Sequence, residues 1–304
     1  MTHGAPVWRD VEITAVRELL AQLRDVENGP GGWEDRRTGM DAFGAAAKLP
    51  DGLAVESVDI AGLEAELLTP AGAAPNRALL YLHGGGYCVG SPRSHRPLAA
   101  RLASAIGCPA LVPHYRLAPE HRFPAAVDDA VKAYRHLLGE GVEPGRIIIA
   151  GDSAGGGLTI ATAIAIRDSG LPQPAGLFAI SPWANLAQTG AAYAAVLHDP
   201  MLTREGLQDM ADAYLQGEGP GHPLASPALA DLHDLPPMLI HAGSQEILAS
   251  DATLLAERAG LAGVEVRVEI WPEMIHVWHA FAEWLGAGRR AIEEAGVWAR
   301  GKLA

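Results

Sequence analysis

The chain has 304 residues, 49% hydrophobic and 19% charged, with 35 glycines and 22 prolines; this excludes a disordered chain and describes a turn-rich globular one of one or two domains. Lys and Arg number 23 against 36 Asp and Glu, a formal charge of −13 with no basic run to offset it, so nucleic acid is excluded as a partner. No cationic N-terminal segment precedes an apolar stretch and no window approaches about 18 uninterrupted apolar residues, so a cytoplasmic protein without stable membrane insertion is expected.

Ile13, Val16, Leu19, Leu20, Leu23 and Val26 recur at helical spacing with charges between them, which predicts an amphipathic helix. The Gly- and Pro-rich break Asn28 to Trp33 follows, setting residues 1–50 apart from what comes next. Alternation at Val55 to Ile60 and Leu63 to Leu68 predicts an antiparallel edge hairpin. Continuous apolar runs then come at Ala78 to His83, Ala110 to Tyr115, Ile147 to Asp152, Gly176 to Ser181 and Met238 to Gly243. Runs buried on both faces are what parallel strands need.

Helical stretches between them, clearest at Pro124 to Leu138 and Ser153 to Ile166, imply a mostly parallel sheet with helices on both faces. Residues 183–233 break this rhythm and read as a cap insertion. Val264 to Trp271 predicts a last strand, an edge through which two copies could pair as a homodimer, and Arg289 to Leu303 a closing helix. Two cysteines, Cys88 and Cys108, match neither a disulfide framework nor a metal site, and are expected as buried thiols.

A serine hydroxyl is a poor nucleophile at neutral pH and needs exposure, a base and donors for the oxyanion. In Ile147 to Gly157, IIIAGDSAGGG, a buried strand runs into a helix through Gly151-Asp152-Ser153-Ala154-Gly155. Small residues on both sides of Ser153 suit the tight strand-to-helix elbow that presents a nucleophile. Asp152 points elsewhere as an elbow neighbour and is expected to be structural. His83-Gly84-Gly85-Gly86-Tyr87 follows the run ending at Leu82, and its bare backbone nominates Gly84 and Gly85, with Ala154, as oxyanion donors. His83 itself is expected to be structural.

With these motifs, the segment His114 to Ala130, Ser181-Pro182-Trp183 and Trp271 to Phe281 occur in an order that resembles the hormone-sensitive lipase family of bacterial esterases. The resemblance spans about residues 78–281. It implies an α/β-hydrolase fold with an eight-stranded sheet, an N-terminal helical cap over residues 1–50, a catalytic domain over 51–304, and ester hydrolysis with no metal and no organic cofactor. It also implies that Arg116, Glu120, Asp128 and Asp129 brace the loops under the site through ion pairs.

The base must follow the serine in such a chain, with the acid between them. His276 matches the family's histidine, with Trp278 where Phe is usual; His279 is the alternative base, and His241, inside a strand run, suits a core histidine. Glu246 stands where most of the family has Asp, and Asp251 is its rival. Tyr87, Trp183, Met201, Ile247, Val277 and Trp278 are the candidate apolar walls of a pocket for a small ester with a short to medium acyl chain. Lactone hydrolysis or deacetylation would use the same residues, and a ligand-binding protein without chemistry would share the fold.

Overall fold

The computed structural model describes residues 11–27, 32–196 and 199–303. Its elements are α1 (Val11–Glu27), α2 (Trp33–Ala46), β1 (Ala54–Ile60), β2 (Leu63–Thr69), β3 (Ala78–Leu82), α3 (Pro92–Ile106), β4 (Ala110–Pro113), α4 (Ala125–Gly139), β5 (Ile147–Asp152), α5 (Ala154–Asp168), β6 (Gly176–Ile180), α6 (Ala192–Ala195), α7 (Arg204–Leu215), β7 (Met238–Gly243), α8 (Ala249–Leu261), β8 (Val266–Trp271) and α9 (Gly286–Lys302). The strands form one sheet of eight in the order β1-β2-β4-β3-β5-β6-β7-β8. β2 runs antiparallel to both β1 and β4, and every other neighbouring pair is parallel. The expected hairpin and run of parallel strands are therefore both present.

Strand alternation divides the core in two. Leu79, Tyr81, Ile148, Ala150, Phe178 and Ile180 pack on one face with α3 and α9 residues such as Leu98, Leu102, Ile292 and Ala295. Leu80, Leu82, Ile147, Ile149, Leu177 and Ala179 face the other way, against Ala126 and Val127 of α4, Leu158 and Ala161 of α5, and Leu255 of α8. Residues of β3, β5 and β6 are buried throughout, as strands covered on both faces must be.

Two helices lie where hydrophobic periodicity had pointed to none. The first is α2, whose Gly44 has no room for a side chain against the Ser94 backbone of α3. The second, α3, carries Pro97 in its interior, which interrupts the pattern of a helix in sequence. Ser91 caps it, accepting the Ser94 N–H at 3.1 Å while donating its hydroxyl to Asp41 of α2. No helix among the described residues is long and apolar enough to cross a membrane.

The chain order sets the position of the site. After β3 the sheet grows toward β4, and with β5 it resumes on the other side of β3. Loops leaving β3 and β5 therefore diverge at their C-terminal ends, and a crevice opens where the winding reverses.

Candidate active site

Ser153 lies at that crevice with φ 54° and ψ −122°, a conformation that costs a non-glycine residue about 1–3 kcal/mol. The surrounding backbone holds it there: its N–H donates to Ile180 O at 2.8 Å, and its carbonyl accepts from Trp183 N–H at 2.9 Å and Gly157 N–H at 3.1 Å. A side chain at Gly151 would collide with Leu82 O and Gly155 O, and one at Gly155 with the carbonyls of Leu82 and His83. Both flanking glycines are thus required because the elbow is pressed against the end of β3. Ala154 begins α5, where first-turn N–H groups lack intrahelical partners and the positive end of the helix dipole adds to their pull on an anion.

The glycine loop after β3 corrects one expectation. The Gly84 N–H donates to Asp152 Oδ1 at 3.1 Å and so is not aimed at a ligand. Asp152 is buried, and the same oxygen accepts the Tyr81 hydroxyl at 2.5 Å while Oδ2 lies 3.4 Å from His95 Nε2. Burial alone would raise this carboxyl, but His95 and Tyr81 overcome it and hold it below its ordinary value. Asp152 therefore fastens the oxyanion loop to the elbow. Gly85 and Gly86 follow at φ 111° and 59°, and Met210 of α7 fills the space that a Gly86 side chain would need. His83 is stacked on Tyr115 with centroids 4.1 Å apart, and burial pushes it down to about 3, so it is neutral and structural.

Downstream, two loops are laced together. Ser244 N–H donates to Trp271 O at 2.9 Å, Gln245 N–H to Met274 O at 3.0 Å, and Glu273 N–H to Ser244 Oγ at 2.9 Å. Between them Glu246 Oε2 meets His276 Nδ1 at 2.9 Å, while Oε1 accepts the Gly243 N–H at 3.0 Å. Burial alone would lower the His276 ring, but the hydrogen bond and charge of Glu246, joined by Asp199 and Asp152, raise it above its ordinary value. Such a pairing leaves Nε2 of a neutral ring as the proton-accepting nitrogen. Ser181, just past β6 at φ 46°, braces the loop after β8: its oxygen accepts Val277 N–H at 3.0 Å, and its hydroxyl favours the charged form of Glu246.

The rivals are engaged elsewhere. Asp251 Oδ2 accepts the N–H groups of Ala184 and Asn185 at 3.0 and 2.9 Å and the Tyr193 hydroxyl at 3.2 Å. Burial pushes this carboxyl up to about 8. His279 Nε2 lies 3.1 Å from His241 Nδ1, both rings fully buried, which suits the core role expected of His241 and gives His279 a core partner of its own. The ring of His241 is pushed down to about 4 and that of His279 well below its usual value, in each case chiefly by burial.

Of the expected pocket walls, Met201 is exposed at 37%, whereas Tyr87, Trp183, Ile247, Val277 and Trp278 are buried. Trp278 is a correction: it packs among Ile13, Val16, Ile275, Phe281 and Leu285, so it belongs to the core beneath α1. Val277 likewise packs with Phe178, Ile180 and Leu239. Tyr87 stacks on Tyr214 of α7 with centroids 3.9 Å apart. In the bracing segment, Arg116 holds Asp129 through two bonds of 2.9 Å. Glu120 pairs with Arg37 of α2 at 2.7 Å, and Arg37 also donates to Cys88 O and Ala118 O at 2.9 Å each. That clamp on the oxyanion loop was not foreseen, since Arg37 lies 51 residues upstream of Cys88.

Residues 79–280 match the family model described as alpha/beta hydrolase fold. Among curated proteins, an acetyl-hydrolase of Streptomyces hygroscopicus is 48% identical over 294 residues, covering 95% of this chain and 96% of its own. The crystal structure of EstE5 soaked with p-nitrophenyl butyrate matches at TM-score 0.92 and 41% identity over 99% of each chain. An esterase from the bacterial hormone-sensitive lipase family matches at TM-score 0.94 and 39% identity, covering 98% of this chain and 100% of that one.

Proposed function

This chain belongs to the alpha/beta-hydrolase family, in its hormone-sensitive lipase branch, and from that premise we propose that it is a carboxylesterase acting on small esters of short acyl chains through Ser153, His276 and Glu246. The observation that carries the reading is the buried Glu246–His276 pair at 2.9 Å, which follows β7 and β8 at the same end of the parallel strands as the strained elbow of Ser153 after β5. His276 Nε2 takes the Ser153 proton as Oγ attacks the ester carbonyl carbon, forming a C–O bond and moving the carbonyl π pair onto oxygen. The N–H groups of Gly85, Gly86 and Ala154 receive that charge. Collapse of the intermediate breaks the bond to the alkoxy group, which leaves as the alcohol carrying the proton from His276. Water, deprotonated by the same ring, then releases the acid and restores Ser153.

Glu246 selects the ring tautomer and stabilises the imidazolium that forms at each step. Residues 1–50 and about 183–233 serve as the cap in this reading, since α2 clamps the oxyanion loop through Arg37 and α7 covers Gly86 with Met210. Aromatic bulk at Tyr87, Trp183 and Tyr214 and the relative called an acetyl-hydrolase both favour the short end of the acyl range. The half-exposed Val268 and Ile270 on the edge strand β8 are where two copies would pair.

The test is a series of p-nitrophenyl esters from acetate to decanoate, assayed on the protein and on Ser153→Ala. Turnover should be greatest for acetate to butyrate and vanish in the variant. Hydrolysis that survives Ser153→Ala overturns the mechanism.

A further inference from the structure

Asp199 stands in the stretch between α6 and α7 and is buried. Its Oδ1 accepts the N–H groups of Met201 and Leu202 at 2.8 and 2.9 Å, which turns the chain toward α7. Its Oδ2 reaches the loop between β7 and α8 and accepts the Ile247 N–H at 2.9 Å. Ile247 is the residue directly after Glu246. We propose that Asp199 is a positioning residue for the acid–base pair: by holding the Ile247 amide it sets where the Glu246 carboxylate meets His276, and it links that alignment to the roof segment carrying Met201. This inference rests on the esterase reading above and names a further part of the same site.

The chemistry of the contacts explains why an aspartate is used. Three N–H groups among the described residues donate to its two oxygens. An asparagine would turn its own NH2 toward one of those sets and lose it. A turn alone needs a single acceptor, and burying a second carboxylate close enough to repel Glu246 has an electrostatic cost. The anchoring matters more for a glutamate than for an aspartate, because its extra methylene adds a rotatable bond between the backbone and the carboxylate. Gly243 holds the carboxylate end of Glu246, and Asp199 holds the main chain beside it.

A merely structural role would lower stability and leave the chemistry of the folded enzyme alone. The carboxylates that act on His276 are Glu246, Asp199 and Asp152, each raising its affinity for a proton. Loss of the Asp199 charge therefore moves the acid limb of kcat/KM to lower pH, since His276 must be neutral to act as base.

The experiment measures p-nitrophenyl acetate hydrolysis for the full chain, Asp199→Asn, Asp199→Ala, Glu246→Gln and the double variants, with thermal melts to confirm folding. Asp199→Asn should lower kcat by about 10–100-fold with KM moving less than about threefold, and shift the acid limb downward. In the Glu246→Gln background the further loss should shrink to less than about twofold, because the group through which Asp199 acts is already gone. Should Asp199→Ala fail to fold, Asp199→Asn carries both comparisons. A folded Asp199→Asn with wild-type kcat and an unmoved acid limb overturns the proposal, and so do losses that simply multiply. A failed esterase reading looks different, with no Ser153-dependent hydrolysis in any variant.

Discussion

Replacing Glu246 by Gln keeps the side chain's shape and removes its charge. Oε1 can still accept the Gly243 N–H at 3.0 Å, so the new NH2 must occupy the position now held by Oε2, 2.9 Å from His276 Nδ1. Nδ1 is then forced to accept a hydrogen bond, the ring proton moves to Nε2, and the nitrogen that should take the Ser153 proton already carries one. The lost charge matters as well: a unit pair about 4 Å apart at an effective dielectric near 20 is worth about 4 kcal/mol, or nearly three decades in rate. Both effects together predict a fall in kcat of about 10³–10⁴-fold with KM little changed. Asp251→Asn is the control, since Asp251 spends Oδ2 on Ala184, Asn185 and Tyr193 and makes no bond to His276. Its effect should fall on the melting temperature, with kcat of the folded variant within about tenfold of the parent. Initial rates on p-nitrophenyl acetate at pH 7.5, beside thermal melts, decide the matter. Equal losses in the two variants, or a Glu246→Gln enzyme within tenfold of the parent, refute the assignment of the acid.

Acidification should unfold the protein earlier than its carboxylates alone require. His83 and His241 are pushed by burial down to about 3 and 4, so between pH 6.5 and 4 the unfolded chain binds protons that the native state refuses. The stability these rings contribute is therefore present above pH 6.5 and lost as pH falls, at roughly 1.4 kcal/mol per pH unit for each; the raised His276, Asp251 and Glu246 work in the opposite sense. His241→Gln should make the urea midpoint fall less steeply from pH 6.5 to 4.5 than in the parent, and an unchanged slope would contradict this. Gly155→Ala should yield little folded protein, because the added methyl has no space against the Leu82 and His83 carbonyls, and normal expression and melting would show the elbow to be looser than described. Arg37→Ala removes bonds to Cys88 O, Ala118 O and Glu120, and should lower both melting temperature and kcat, the latter by about threefold to thirtyfold; a loss of stability with no change in kcat would separate α2 from the oxyanion loop.

The strands and the elbow were legible because their causes are local. Ile147 to Asp152 must be apolar on both faces to lie inside the sheet, and the glycines at 151 and 155 must be bare to pass the end of β3. His276 and Glu246 were legible through the order of the chain and a resemblance to known esterases. Interruptions hid other features: Pro97 masks α3, and residues beside the loops, such as Val277 and Trp278, carry no periodicity to tell core from pocket.

By itself, then, the sequence determined the alternating architecture and the candidate nucleophile, acid and base, since each rests on a pattern within a few residues or on chain order. Tertiary structure alone decided how those groups are used. It assigned the Gly84 amide to Asp152, 68 residues away, and so left Gly85 and Gly86 as the proposed oxyanion donors. It also joined Glu246 to His276 across 30 residues while turning Asp251 toward Ala184 and Asn185. A buried carboxylate goes to whichever donors the packed chain brings within 3 Å of it, and no spacing along the sequence encodes that meeting.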